Sequence, residues 1–74
     1  MSQDDLKVRT YSGLGYAERP KSFVWQGEKY RIARVENSWL EPGERHFRVL
    51  TTAGERFHLW YDEAMDLWRL TGSD

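Results

Sequence analysis

The sequence predicts an all-β fold, a small antiparallel sheet of five or six strands curled into an SH3-like barrel. Three observations support this class. Bulky apolar residues alternate with polar ones over short stretches, turn residues separate these stretches at close spacing, and aromatic residues form 15% of the 74-residue chain. Alternation with period two is typical of strands that bury one face, and many short strands favour a small barrel.

A chain of 74 residues has room for one domain. We expect a disordered N-terminal tail over residues 1–5, a single β domain over residues 6–71 and a C-terminal tail over residues 72–74. Cysteine is absent, so neither a disulfide nor a thiolate zinc site can support the core. The aromatic side chains must therefore supply most of the buried surface.

The first strand is predicted over Leu6 to Tyr11, where apolar and polar residues alternate. Residues 12–15, Ser-Gly-Leu-Gly, are expected to form a flexible connection. Pro20 then opens the second strand, where a missing backbone N–H does least harm to the ladder.

The stretch FVWQGEKYRI, residues 23–32, predicts a hairpin. Glycine at the first loop position favours a type II′ turn, so Gly27-Glu28 is the predicted loop. We expect the alternative loop, Gln26-Gly27, to divide the apolar residues between the two faces, so burial favours the first register. The pairs predicted to share the buried face are Trp25 with Tyr30 and Phe23 with Ile32.

The alternation slips after Ile32, because Val35 follows three positions later. A β-bulge near Ala33-Arg34 would return Val35 and Trp39 to the buried face. Within residues 37–44, Pro42-Gly43 is a turn signature that predicts a chain reversal.

A second hairpin is predicted from residues 46–51 and 55–61, joined by Thr-Ala-Gly. Gly54 in a left-handed conformation would close a three-residue loop and pair Thr51 with Glu55. The predicted inward pairs are Val49 with Phe57 and Phe47 with Leu59.

Residues 62–66 are expected to form a polar link, and a single helical turn capped by Asp62 is one conformation that this link could adopt. The final strand is predicted over residues 67–70, with Trp68 and Leu70 on one face.

The same register aligns the outward face of the second hairpin, with Arg48 opposite His58, His46 opposite Trp60 and Leu50 opposite Arg56. Cations interleaved with an indole are typical of nucleic-acid surfaces and of protein interfaces, and also of ordinary solvent-facing strands. The candidate partner-binding residues are Trp60, Arg48, His58, His46 and Arg56.

We expect a non-enzymatic interaction module that binds an unidentified protein partner, with Trp60 as the anchor. Single-stranded nucleic-acid binding and a homodimer seam are the alternatives, and the chain would be a monomer or a weak homodimer. The formal net charge of −1 disfavours a strongly basic nucleic-acid binder. Basic residues are nevertheless denser in the middle of the chain than at its ends.

Two histidines do not make a metal site, and a third ligand would have to come from Glu44 or another acid. We therefore expect exposed histidines, no metal and no cofactor. Residues 62–66 do not match a calcium-binding EF-hand loop. The serines lack a nucleophile-elbow context and no phosphate-binding loop occurs, so no enzymatic activity is expected.

No apolar run reaches the roughly 20 residues that cross a bilayer, so no membrane association is expected. The N-terminus lacks the features of a signal peptide. These observations predict a soluble cytoplasmic protein.

One further pattern runs through the chain: Phe23-x-Trp25-x-Gly27-x-x-Tyr30-x-Ile32, Trp39, Phe47-x-Val49-x-Thr51 with Gly54, Tyr61-Asp62-Glu63 and Trp68-x-Leu70. In this pattern the chain resembles a bacterial family of small uncharacterised domains found alone or beside proteins similar to Y-family translesion DNA polymerases. The resemblance covers residues 20–70 and implies an accessory, non-catalytic role connected with DNA repair, without lending any binding residue. The near-neutral charge departs from the more basic members and favours protein contact over DNA contact.

Overall fold

The computed structural model of the protein describes residues 6–10 and 19–72, and every regular element in this part of the chain is a β-strand. The strands form one antiparallel sheet in sequence order, and β1 also lies beside β6, so the sheet is nearly closed into a barrel. The predicted fold class is thereby confirmed, with six strands. They are β1 Leu6–Thr10, β2 Pro20–Trp25, β3 Glu28–Glu41, β4 Glu44–Thr51, β5 Arg56–Asp62 and β6 Leu67–Gly72.

Several predictions concern residues outside the described part of the chain: the N-terminal tail over 1–5, Tyr11 as the end of the first strand, the connection over 12–15 and residues 73–74 of the C-terminal tail. Pro20 opens β2 as predicted. Within residues 6–10 and 19–72, the structure contains no helix with the length and apolarity that crossing a bilayer requires.

The hairpin of β2 and β3 has a different turn from the one predicted. The loop is Gln26-Gly27, with φ values of 53° and 81°, the pattern of a type I′ turn. The predicted type II′ turn is therefore wrong, and so is the expectation that this loop divides the apolar residues. Moving a two-residue loop by one position changes the register by two, which preserves alternation. The ladder pairs are Phe23 with Tyr30 and Trp25 with Glu28.

The aromatic residues of this hairpin consequently remain on the inward face. Phe23 stacks on Tyr30 with ring centroids 4.9 Å apart. Trp25 lies 6.5 Å from Tyr30 on the same side of the sheet.

Strand β3 carries two β-bulges, since its register with β4 shifts between Ile32 and Arg34 and again between Val35 and Asn37. The first bulge is confirmed, and Val35 lies opposite Val49. The second was not predicted. It reverses the alternation once more, so Trp39 pairs with His46 on the outward face, and the prediction that Trp39 is buried with the core is wrong.

The turn at Pro42-Gly43 is confirmed, with a φ of 75° at Gly43. The second hairpin also follows the prediction, with Val49 opposite Phe57 and Phe47 opposite Leu59. Its loop is closed by two backbone hydrogen bonds: the Thr51 N–H donates to the Glu55 oxygen at 2.8 Å, and the Gly54 N–H donates to the Thr51 oxygen at 2.9 Å. A single glycine with positive φ thus fixes the register of β4 and β5.

Residues 63–66 form turns, and the helical turn considered for this link does not form. Asp62 nevertheless contacts the turn, because its Oδ1 accepts a hydrogen bond from the Met65 N–H at 3.2 Å. Strand β6 follows, with Trp68 opposite Tyr61 and Leu70 opposite Leu59. The shared face of Trp68 and Leu70 is therefore confirmed.

The core lies between the two halves of the curled sheet. Full burial of one large apolar side chain there contributes about 1.5–3 kcal/mol to the free energy of unfolding. Phe23 has ring contacts with Tyr30 and Phe57 that join the first hairpin to β5. The buried cluster consists of Phe23, Phe47, Val49, Phe57 and Leu59.

Candidate interaction surface on the outer face of the sheet

The outward face of β3 to β6 carries all of the predicted site residues. Neighbouring strands align them in rows, because residues opposite each other in an antiparallel ladder share a face. The first row is Trp39, His46, Trp60 and Arg69, and the second is Asn37, Arg48, His58 and Thr71. A third row holds Arg34, Leu50 and Arg56. The predicted pairs are thereby confirmed, while their role in binding stays a prediction.

Four of these residues form a compact group that we call the aromatic–imidazole cluster: Trp39, His46, His58 and Trp60. His46 stacks on Trp39 with centroids 5.0 Å apart and an interplanar angle of 9°. On its other side it stacks on Trp60 at 5.6 Å and 15°. His46 is only 6% exposed as a result, so the expectation of an exposed imidazole is wrong at this position. The second bulge of β3 causes the difference, since it delivers Trp39 to the outer face.

Hydrogen bonds connect the two imidazoles to each other and to an acid. His46 Nδ1 lies 2.8 Å from His58 Nε2, and His46 Nε2 lies 2.8 Å from Glu44 Oε1. Burial lowers the pKa of His58 below its ordinary value, and electrostatic interactions with His46 and Arg48 lower it further. The neutral form of His58 is thus favoured, which allows one ring nitrogen to accept a hydrogen bond.

Arg56 is engaged in an ion pair and is less available to a partner than the sequence suggests. Its Nε lies 2.8 Å from Glu36 Oε1 and its Nη2 lies 3.3 Å from Glu36 Oε2. Arg34 adds a contact of 3.6 Å to the same carboxylate. The hydrogen bond from Arg56 lowers the pKa of Glu36. Arg48, by contrast, is exposed and forms no ion pair with the residues that the structure describes.

Trp60 is partly exposed and lies next to an opening that we call the seam, the gap between β1 and β6. A cavity of about 320 Å³ occupies this position. Its lining comprises Leu6, Trp25, Gln26, Trp60, Trp68, Arg69 and Leu70. Three indoles from three different strands therefore meet at one cavity, where the hydrogen-bonded ladder of the described strands ends.

A second surface lies on the outer side of β1 to β3, and we call it the basic face: Lys7, Arg9, Lys29 and Arg31. Ladder pairing places Arg9 and Arg31 on either side of Ser22, and Lys7 and Lys29 on either side of Val24. All four cations are exposed, and none forms an ion pair within the described part of the chain. The bias of basic residues toward the middle of the sequence hinted at this face, but the pairing of β1 was needed to locate it.

Two functional candidates were missed by the sequence reasoning. Trp39 was assigned to the core because the second bulge leaves no clear signal in the sequence. Glu41 was not considered, although it flanks the Pro42-Gly43 turn opposite Glu44. A tight turn between two glutamates would have been enough to place both carboxylates on one face.

The fold and this surface define a small, nearly closed β-barrel that presents an aromatic–imidazole cluster on the outside of its sheet. Residues 3–73 match the family described as Domain of unknown function (DUF6504), and the chain belongs to that family. No curated protein and no solved structure matches the chain. The expected resemblance to a small uncharacterised domain is thereby confirmed. Bacterial origin and an association with Y-family polymerases stay predictions.

Proposed function

We propose that the protein is a non-enzymatic interaction module that binds a partner protein through the outer face of β5 and the adjoining seam, with Trp60 as the anchor. The observation that supports this most is the position of Trp60, which is partly exposed and lines the seam cavity with Trp25 and Trp68. Aromatic side chains next to a pocket dominate the binding energy of many interfaces.

The seam suits an extended segment of a partner. Strand β6 is the last strand of the sheet, and β5 is its only hydrogen-bonded neighbour among the described strands. An edge strand offers unpaired N–H and C=O groups that an extended peptide can use. The cavity of about 320 Å³ is large enough to receive a bulky side chain from such a segment.

Paired capture experiments test this proposal. Tagged wild-type protein is used to isolate partners from the native cell. The single variants Trp60→Ala and Arg48→Ala are used in parallel. Leu40→Ala is the matched control, because Leu40 is 71% exposed and lies away from the seam lining. We expect Trp60→Ala to lose a partner that Leu40→Ala retains, and to lower the free energy of unfolding by no more than about 1–2 kcal/mol, the loss that its stacking on His46 explains. Retained capture would contradict the proposal, and a larger loss of stability would assign Trp60 to the core.

The connection with DNA repair is part of the same proposal, supported by the resemblance described above. It predicts that the captured partner is a polymerase-like or accessory repair protein. Identification of the partner by mass spectrometry, followed by binding of the purified pair, checks this part. A purified partner without any role in DNA metabolism would contradict it.

Binding of single-stranded nucleic acid is the second candidate, and the basic face supports it. Four exposed cations that form no ion pair with residues 6–10 and 19–72 would attract phosphates, and affinity would fall steeply as salt rises. Two features disfavour it. The aromatic–imidazole cluster lies on other strands, and Glu41 and Glu44 lie beside its His46.

A titration of labelled oligonucleotides at low salt tests this candidate. Lys29→Gln with Arg31→Gln should abolish binding, while Arg45→Gln, which removes a cation paired with Glu63, should not. Absence of binding by the wild type at protein concentrations on the order of tens of micromolar would reject the candidate.

A further inference from the structure

Two carboxylates face each other across the tight turn between β3 and β4. Glu41 and Glu44 are directly opposite in the ladder, one row beyond the pair of Trp39 and His46. Since alternate residues of a strand share a face, all four side chains lie on the outside of the sheet. Like charges directly opposite each other destabilise a β-ladder, and a bound cation would remove that repulsion.

Three potential ligand atoms converge at this position. His46 Nε2 lies 2.8 Å from Glu44 Oε1 and 3.8 Å from Glu41 Oε1, and the three donor atoms lie within 4.8 Å of one another. Ligand atoms bound at about 2.1 Å to a tetrahedral ion lie about 3.4 Å apart. The observed separations bracket that distance, so small side-chain rotations suffice to enclose an ion.

Each of two ligands is also oriented by a further hydrogen bond. Trp39 Nε1 donates to Glu41 Oε2 at 3.0 Å, which leaves Oε1 directed toward His46. His46 Nδ1 is 2.8 Å from His58 Nε2. A ligating histidine usually has a partner on its other ring nitrogen, which fixes the tautomer and the ring orientation. The stacked indoles of Trp39 and Trp60 hold the same ring from both sides.

We propose that Glu41, Glu44 and His46 bind a divalent first-row transition-metal ion, with Zn²⁺ as the reference case and water completing the coordination. His46 would bind through Nε2, and its Nδ1–H would donate to His58 Nε2. His58 thus supports the ligand and does not bind the ion itself, which differs from a site shared by the two histidines. One imidazole with two carboxylates favours such ions over Mg²⁺ or Ca²⁺, which prefer oxygen ligands alone.

Calorimetric titration of the tag-free full chain with ZnCl₂ tests this inference. We expect one ion per chain, and we expect Glu41→Gln and Glu44→Gln each to weaken binding by at least about tenfold. The matched control is Glu55→Gln, which removes an exposed glutamate outside the cluster. Glu41 and Glu44 have side chains that are 51% and 36% exposed, so both variants should fold, which thermal unfolding checks.

A second measurement distinguishes this site from adventitious binding. In ¹⁵N spectra of the imidazoles, Zn²⁺ should shift His46 Nε2 and leave the hydrogen on Nδ1. Ni²⁺ should quench the fluorescence of the tryptophans in wild type but not in Glu44→Gln. No detectable Zn²⁺ binding, equal binding by the wild type and both glutamine variants, or a signal at His58 Nδ1 instead of His46 Nε2 would overturn the proposal.

Discussion

The imidazole rings of His46 and His58 are joined by a hydrogen bond of 2.8 Å between Nδ1 and Nε2 on the outside of the barrel. Their ring centroids lie 5.0 Å apart, and the indoles of Trp39 and Trp60 flank them. Independent solvent-facing side chains would not be held together by hydrogen bonds and ring stacking in this way. The four side chains on the outer face of β3 to β5 therefore form one packed cluster, and substitutions can test its members separately.

Removal of Trp39 should weaken the cluster without affecting the core. Trp39→Ala exposes one side of His46 and should lower the free energy of unfolding by about 1–2 kcal/mol, since it removes a stacked pair and buried area. Urea denaturation measures the change. The control Leu40→Ala, at a position that is 71% exposed, should stay within about 0.5 kcal/mol of wild type. An equal effect of the two substitutions would contradict the stacking described here.

Substitutions at the two residues of the type I′ turn, Gln26 and Gly27, should change the stability of the hairpin in opposite directions. Gln26→Asn should stabilise the hairpin by a few tenths to about 1 kcal/mol, because asparagine tolerates the positive φ of 53° better than glutamine. Gly27→Val should destabilise it, since a β-branched residue resists a φ of 81°. Denaturant midpoints of both variants check the turn. Destabilisation by Gln26→Asn would contradict the observed loop.

Two aromatic residues of the first hairpin should differ in their contribution to stability. Phe23 is 1% exposed, and Phe23→Ala should cost about 3–5 kcal/mol, enough to unfold most of a domain this small. Trp25 is only partly buried at the seam, so Trp25→Ala should cost less. Circular dichroism melting of both variants compares them. A larger loss for Trp25→Ala would show that the seam belongs to the core.

Tyr61 predicts a dependence of stability on alkaline pH. Its hydroxyl donates a hydrogen bond to Asp66 Oδ1, and this bond is the main cause that raises the pKa of Tyr61 to about 12. The corresponding stabilisation of the native state is fully present below about pH 10, the pKa of tyrosine in the unfolded chain. It is lost as pH rises from there through about 12.

Urea denaturation of wild type and Tyr61→Phe at about pH 7 and about pH 11 measures this contribution. The wild type should be the more stable at neutral pH, and the difference should shrink at alkaline pH. A difference that stays constant would show that the hydrogen bond to Asp66 does not discriminate between the phenol and the phenolate.

The second hairpin could be predicted from sequence because its turn is compatible with only one pairing register of the two strands. A three-residue loop that ends in Gly54 pairs Thr51 with Glu55, and every pair from Leu50 to His46 then follows by counting. The first hairpin could not be fixed in this way. Gly27 suits the first position of one turn type and the second position of another, and the positive φ at Gln26 has no signal in the sequence.

The candidate site was predicted only in part for a related reason. The pairs of Arg48 with His58 and of His46 with Trp60 depend on the second hairpin alone. Trp39 depends on the count of bulges in β3, and a bulge at Glu36 cannot be read from residues that are all compatible with a strand. The burial of His46 follows from Trp39, so both were missed together.

Site-specific photocrosslinking in the native cell tests whether Trp60 contacts a partner protein. A photoreactive phenylalanine analogue is placed at position 60 and, as the control, at position 40, which is 71% exposed. We expect one discrete adduct with another protein from position 60 and none from position 40. No adduct from position 60, the same adducts from both positions, or an adduct only with a second copy of this chain would contradict it.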